Sequence, residues 1–173
     1  MLIAMAGLPG AGKSTIAEVI GNRLGYAVLS VDPIESAILS AGIDSDQPTG
    51  LAAYLVAEAI ADAALANGQS IIVDAVNAVD PAREQWLQLA KKHGETVKFI
   101  EVVCSDTELH RERLEARERN LAHLPDPTWH QVEQSLDEYD EWTGAAAATP
   151  RVTLDSIRPL GELVEDALAF LGS

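Results

Sequence analysis

Residues 2–15, LIAMAGLPGAGKST, decide the fold. Leu2 to Ala6 form a short apolar run that ends in glycine, the pattern of a strand buried on both faces. Gly7, Leu8, Pro9, Gly10, Ala11, Gly12, Lys13, Ser14 and Thr15 then follow the spacing G-x-x-x-x-G-K-[ST]. From Lys13 onward Ile16, Ile20 and Leu24 recur every four residues, and Gly25 stands where a helix takes a left-handed cap. Strand, glycine loop and helix therefore come in that order.

Downstream the alternation continues. A second strand is expected at Ala27 to Val31, after which Asp32 caps a helix that opens on Pro33 and ends at Gly42. Leu51 to Ala66, rich in alanine and leucine, reads as a long buried helix stopped by Asn67 and Gly68. Ile71 to Val73, ending in Asp74, is strand three; Asp80 and Pro81 start a helix through His93; Val97 to Val103 is strand four. Ser105 and Glu108 have capping-box spacing for a helix carrying Arg111, Arg113, Arg117 and Arg119. A polar insert from Asn120 to Thr128 leads into an acidic helix from Trp129 to Trp142, and the run Ala145 to Ala148 is left between helix and connector. Val152 to Leu154 is strand five, and Leu160 to Leu171 a last amphipathic helix. Five strands separated by helices predict an α/β fold: one mainly parallel sheet with helices on both faces and a small helical lid near residues 113–130. At 173 residues, with no internal repeat or linker, the expectation is one domain over 1–173. Ligands of such sheets gather at the carboxyl ends of the strands, where Gly7, Asp32, Asp74, Cys104 and Asp155 fall.

Composition narrows the partners. Hydrophobic residues at 47% and charged residues at 23% exclude disordered, collagenous and disulfide-framework classes. Against 12 Lys and Arg stand 27 Asp and Glu, a net charge of −15, so long nucleic acids and anionic membranes are not expected as partners. The lone Cys104 suits a reducing compartment, no uncharged apolar run approaches a membrane span, and no signal peptide is visible, so a cytoplasmic location is expected.

Glycines at this spacing let a loop turn its backbone N–H groups inward, and the helix starting at Lys13 adds the positive end of its dipole. The result is an anion nest for a nucleoside triphosphate, with Lys13 bridging the β- and γ-phosphates and the Ser14 hydroxyl on Mg²⁺. A GTPase would need an Asn-Lys-x-Asp string and a switch Asp-x-x-Gly, and the sequence contains neither. An AAA-type motor module, with its helical lid domain, would need a longer chain. A compact, ATP- and Mg²⁺-dependent phosphotransferase remains.

The string GLPGAGKST, Asp32 after strand two, IIVDAVN with Arg83 nine residues past Asp74, and RERLEAR together resemble the small P-loop kinases. That group includes polynucleotide kinase, zeta toxins and the chloramphenicol phosphotransferases. The resemblance runs from Met5 to Asp155 and implies a P-loop NTPase fold and kinase activity. SVDPIESAI is most similar to the chloramphenicol phosphotransferase version, whose matching aspartate is the base for the substrate hydroxyl. Polynucleotide kinase-like members carry an arginine three residues later, where it meets a phosphate on the acceptor; this chain has Glu35. A carboxylate there repels a phosphorylated acceptor and tolerates a neutral or cationic alcohol, unless it simply faces solvent.

On this reading Asp32 is the catalytic base, against the competing role of helix cap. Asp74 is a Mg²⁺-water ligand or a substrate contact, and which of Asp32 and Asp74 dominates the metal shell stays open. Asn77 and Arg83 are candidates for acceptor contact, against turn former and surface helix residue. Arg113 and Arg117, four apart, share a helix face and clamp the transferred phosphoryl group, with Arg117 favoured by its family position. Thr153, Leu154, Asp155, Ser156 and Arg158 fall where the resemblance puts the adenine pocket. His93, His110, His123 and His130 lack metal-binding spacing and read as surface residues, and Cys104 as a small core residue. Glu133, Asp137, Glu138, Asp140 and Glu141 read as a solvated face or a lure for a cationic acceptor. The acceptor is a small molecule with a hydroxyl. The alternatives are a nucleotide or polynucleotide 5′-hydroxyl kinase and a nucleotide-binding regulatory module with little turnover.

Overall fold

A parallel return across a sheet needs a crossover, and each apolar run of this chain is followed by one. The computed structural model describes residues 1–117, 120–139 and 141–172. The strands are β1 (Leu2–Ala6), β2 (Ala27–Ser30), β3 (Ile71–Asp74), β4 (Val97–Val103) and β5 (Arg151–Asp155). The helices are α1 (Lys13–Leu24), α2 (Val31–Ser40), α3 (Thr49–Ala66), α4 (Asp80–Lys92), α5 (Thr107–Glu115), α6 (Trp129–Glu138), α7 (Gly144–Ala147) and α8 (Leu160–Gly172). The five strands lie in the order β2-β3-β1-β4-β5, all parallel. Register sets Ser30 beside Asp74, Ala6 beside Glu101 and Val103 beside Asp155, so the carboxyl ends of all five strands share one edge.

Alternation along β1 divides the core. Leu2 and Ala4 pack with Val73 and Phe99 against α3 and α4, through Ala53, Ala57, Ala61, Trp86 and Leu89. Ile3 and Met5 pack with Ile72, Ile100 and Leu154 against α1 and α8, through Ile16, Ile20, Leu163 and Ala167. At the ligand edge a smaller cluster joins Leu8 of the glycine loop to Leu114 of α5 and Val132 of α6.

Several boundaries differ from the sequence reading. Helix α2 begins at Val31 with Ser30 at its N-cap, so Asp32 lies inside the first turn and is not the cap. Helix α5 is capped by Asp106, whose side chain accepts from the Leu109 amide, rather than by Ser105. It ends at Glu115, so Arg117 follows the helix and shares no helical face with Arg113. The acidic helix stops at Glu138 and α7 follows as a separate turn. Helix α3 is long and apolar enough to cross a membrane by length and composition. Every fourth residue from Ala53 to Leu65 packs inward, but Leu51 (61% exposed), Leu55, Val56 and Ile60 face outward, so it is buried on one face only.

Candidate active site

The glycine loop closes tightly on its neighbours. Gly7, at φ +128°, donates its amide to the Val76 carbonyl at 2.9 Å, and a Cβ there would stand 2.1 Å from the Val102 carbonyl oxygen. Only glycine fits that approach. Lys13 is buried at the mouth of α1, its ammonium donating to the Leu8 carbonyl at 3.0 Å.

Two cavities open on this edge. The first, of about 370 Å³, is lined by Gly10, Gly12, Lys13, Ser14, Thr15, Ile16, Arg113, Arg117, Ser156, Arg158, Leu160 and Leu163. Its lining holds four of the chain's 12 lysines and arginines and no carboxylate. The second, of about 200 Å³, is lined by Pro9, Lys13, Ser14, Asp32, Glu35, Asp74, Ala75, Val76, Arg117, Leu124, Pro125 and Pro127. It brings three carboxylates together under an apolar roof from the polar insert. Lys13, Ser14 and Arg117 line both. A cationic groove thus meets an anionic one across the glycine loop.

Each wall is held in place. The Ser30 hydroxyl donates to Asp74 Oδ2 at 3.0 Å, across the β2–β3 pairing. The Thr49 hydroxyl donates to Glu35 Oε1 at 2.8 Å. The buried Ser36 hydroxyl donates to the Ala122 carbonyl at 2.7 Å, drawing the insert over α2. Arg113 reaches from α5 to Ser156, donating to both its carbonyl (3.0 Å) and its hydroxyl (2.9 Å). Arg158 is partly neutralised by Asp166 at 2.8 Å and Glu162 at 3.2 Å.

Of the sequence-predicted site residues, the loop from Gly7 to Thr15, Asp32, Asp74, Arg113 and Arg117 come to this edge. Several do not reach a cavity as expected. Asn77, 0% exposed and at φ +48°, donates its side-chain amide to the Met5 carbonyl at 2.7 Å and accepts from Trp86 Nε1 at 2.9 Å. Arg83 is also 0% exposed: Nε donates to the Asn77 carbonyl (2.9 Å), Nη2 to the Ala78 carbonyl (2.7 Å) and Nη1 to Asp80 (2.9 Å). Its guanidinium lies over the Trp142 ring at 4.2 Å. Both are spent on the loop behind the second cavity, which removes them as acceptor contacts. The Asp155 carboxylate accepts from the Ser105 and Ile157 amides at 3.1 and 3.3 Å, and the next residue, Ser156, lines the groove instead. Burial pushes the Asp155 carboxyl up, but these hydrogen bonds outweigh it and the pKa is lowered. Thr153 is likewise spent, on Glu101 at 2.8 Å. Arg119 and Asp140 lie outside the described residues, as do the side chains of Asp137 and Glu138.

Sequence reasoning missed His110. Far from the surface, it is 4% exposed, its Nε2 donates to the Pro9 carbonyl at 2.8 Å, and its ring meets Trp129 edge-on at 5.3 Å. A Cβ on Gly10 would stand 3.2 Å from the same ring. One histidine therefore joins the glycine loop to α5 and α6. Its spacing of one turn from Leu114 was the available signal, and it does not separate a buried histidine from a surface one. Pro125 and Pro127, within the polar insert, line the second cavity. Cys104 is partly exposed just past β4 rather than in the core.

Among the described residues no group of three or more His, Cys, Asp and Glu is arranged to hold a metal. A Mg²⁺ that uses one or two protein oxygens and otherwise phosphate and water needs no such cage, and the Ser14 hydroxyl and Asp74 carboxylate, both lining the second cavity, are a hard-oxygen set of that kind.

The sequence model of a family described as an AAA domain matches residues 2–141. No curated protein is similar enough in sequence to count as a relative. Among solved structures, a provisionally assigned kinase from Chloroflexus aurantiacus j-10-fl superposes with a TM-score of 0.77 at 22% identity, over 98% of this chain and 97% of that one. A sugar kinase from Janibacter sp. HTCC2649 gives 0.73 at 20% identity, over 99% and 94%. The APS kinase CysC of Mycobacterium tuberculosis, in complex with AMPPNP and APS, gives 0.65 at 18%, over 99% and 97%. At these identities the likeness is one of fold, and it bears out the P-loop architecture expected from residues 2–15. On length, the sequence reading expects no AAA-type motor module; the family matched is described as an AAA domain, which names the family and not a motor.

Proposed function

Because this chain belongs to the AAA domain family and has the fold of the small P-loop kinases, we propose that it is an ATP- and Mg²⁺-dependent phosphotransferase acting on a hydroxyl of a small acceptor. The observation that carries this reading is the sharing of Lys13, Ser14 and Arg117 between a cationic groove and a separate cavity holding Asp32 and Asp74. The triphosphate occupies the groove, its phosphates on the loop amides, Lys13 and the N-terminus of α1. The acceptor occupies the second cavity. Its hydroxyl oxygen bonds to the γ-phosphorus, the bond from that phosphorus to the β–γ bridging oxygen breaks, and ADP departs with the electron pair.

Asp32 accepts the hydroxyl proton late in a loose transition state. Its place inside the first turn of α2 strengthens that role, because the cap position belongs to Ser30. Lys13 and Arg117 counter the charge that develops on the transferred group. Bound Mg²⁺, held by Ser14 and Asp74, would supply charge neutralisation at the phosphates. A net charge of −15 opposes long nucleic acids and anionic membranes as partners.

The experiment is a screen of small hydroxyl compounds for an ATP-dependent mass gain of one phosphoryl group, beside thermal melts with Mg-ATP. Wild type should melt higher with Mg-ATP, through binding to the folded state, and Lys13→Ala should lose most of that shift together with transfer. Equal shifts in the two proteins, or ATP consumption that no acceptor raises, would remove the phosphotransferase reading.

A further inference from the structure

The second cavity holds more negative charge than phosphoryl transfer uses. Asp32 takes the proton, and Asp74, tied to Ser30, offers oxygen to the metal; Lys13 and Arg117 serve the phosphates. Glu35 has no task in that scheme, yet it lines the cavity. It is no loose surface charge: it is partly buried and oriented by the Thr49 hydroxyl at 2.8 Å, and Thr49 is itself buried. Among the described residues no lysine, arginine or histidine is paired with it, and Leu124, Pro125 and Pro127 roof the same space. Among the described residues the Thr49 hydroxyl is the one hydrogen-bond donor to the Glu35 side chain, so the carboxylate keeps acceptor capacity for a cation. The cavity, at about 200 Å³, is below the roughly 300–1,000 Å³ of drug-sized pockets and suits a compact acceptor.

We propose that Glu35 receives a cationic group of the acceptor, so that the substrate is a small amino alcohol whose hydroxyl faces Asp32 while its ammonium meets Glu35. The inference rests on the phosphotransferase reading above. The acceptor oxygen bonds to the γ-phosphorus, the bond to the departing ADP breaks, the hydroxyl proton goes to Asp32, and the ammonium keeps its protons throughout. An anionic acceptor is rejected by three carboxylates, and a neutral one leaves Glu35 with Thr49 alone.

The test is a panel of triols, pentitols and hexoses, each in neutral, amino and carboxylate form, measured by ADP release and by mass. The amino form should exceed its neutral counterpart by about tenfold or more in kcat/KM, the worth of a charge-assisted hydrogen bond. Its KM should rise as pH passes the pKa of the amine. Glu35→Gln should collapse the discrimination to about threefold or less, Glu35→Asp should restore part of it, and Glu35→Lys should turn the preference toward the carboxylate form, an inversion that misfolding does not produce. Phosphorylation of neutral or carboxylate forms as well as or better than amino forms would overturn the inference and leave the phosphotransferase reading standing, as would unchanged discrimination in Glu35→Gln. Mg-ATP binding with no transfer to any member would overturn both.

Discussion

Replacing Arg83 with methionine separates two roles that the sequence left open. If the guanidinium touched the acceptor, its loss would raise the acceptor KM and spare the fold. The structure gives it another job: its donors hold the Asn77 and Ala78 carbonyls and Asp80, with a longer bond to the Glu141 carbonyl at 3.3 Å. Methionine fills most of the stem but donates nothing. Each buried acceptor left unsatisfied costs about 1–3 kcal/mol, and losing the cation over Trp142 adds about 0.5–2 kcal/mol. Releasing a buried charge from its desolvation penalty offsets part of this, so the net falls near the roughly 3–5 kcal/mol seen when one partner of a buried pair is removed. For a chain of 150–250 residues each kcal/mol is about 2–4 °C, so the midpoint should drop by roughly 6–20 °C. Calorimetry with urea titration measures it. Arg83→Lys should recover only part, because a point charge cannot reproduce the fork. A midpoint within about 2 °C of wild type, with the acceptor KM alone raised, would refute the reasoning.

Asp32→Asn should lower acceptor-dependent turnover by about 10²- to 10⁴-fold with Mg-ATP affinity little changed, read by steady-state transfer beside titration with a non-hydrolysable analogue; near wild-type turnover would sink the base assignment. His110→Ala should raise the KM for ATP by freeing the Pro9 carbonyl, with partial rescue in His110→Gln, whose amide can donate; an unchanged KM in His110→Ala would confine the histidine to packing. The Asp80 carboxyl is held below its ordinary 3.8 by the Thr143 hydroxyl and then by Arg83, against its burial. A depressed folded pKa stabilises fully above 3.8 and loses that contribution as pH falls through the lowered value, so melts between about pH 5 and 2.5 should fall more steeply in wild type than in Asp80→Asn; parallel curves would contradict the linkage.

The sheet was legible because its signals are local. A strand buried on both faces is mostly apolar: β3 runs from Ile71 one residue past its apolar run to Asp74, and β4 spans Val97 to Val103 although Lys98 and Glu101 interrupt it. Helix ends were less so: Ser105 and Asp106 both have cap chemistry, and the side chain that reaches the Leu109 amide is settled by the chain's exit from β4. Helix α3 misled for a related reason. Alanine every fourth residue marks the face against the sheet, but leucines and an isoleucine elsewhere on the helix raise its mean hydropathy without being buried.

The site divides along the same line. The glycine loop could be read because its function is carried by backbone geometry that only a particular residue order permits. Arg83 and Asn77 could not, since an arginine nine residues past a strand has the same letter whether it faces a ligand or satisfies carbonyls inside a loop. What aims the cavities is a set of side chains bonded to main-chain oxygen: His110 to Pro9, Ser36 to Ala122 and Arg113 to Ser156. A backbone carbonyl is present at every position, so the acceptor of such a bond leaves no mark in the sequence. These three bonds converge on the glycine loop, the roof of the second cavity and the far wall of the groove. Arg117, two residues beyond α5, therefore reaches both cavities through the anchoring of the elements around it and not through the helical spacing from Arg113 that first drew attention to it.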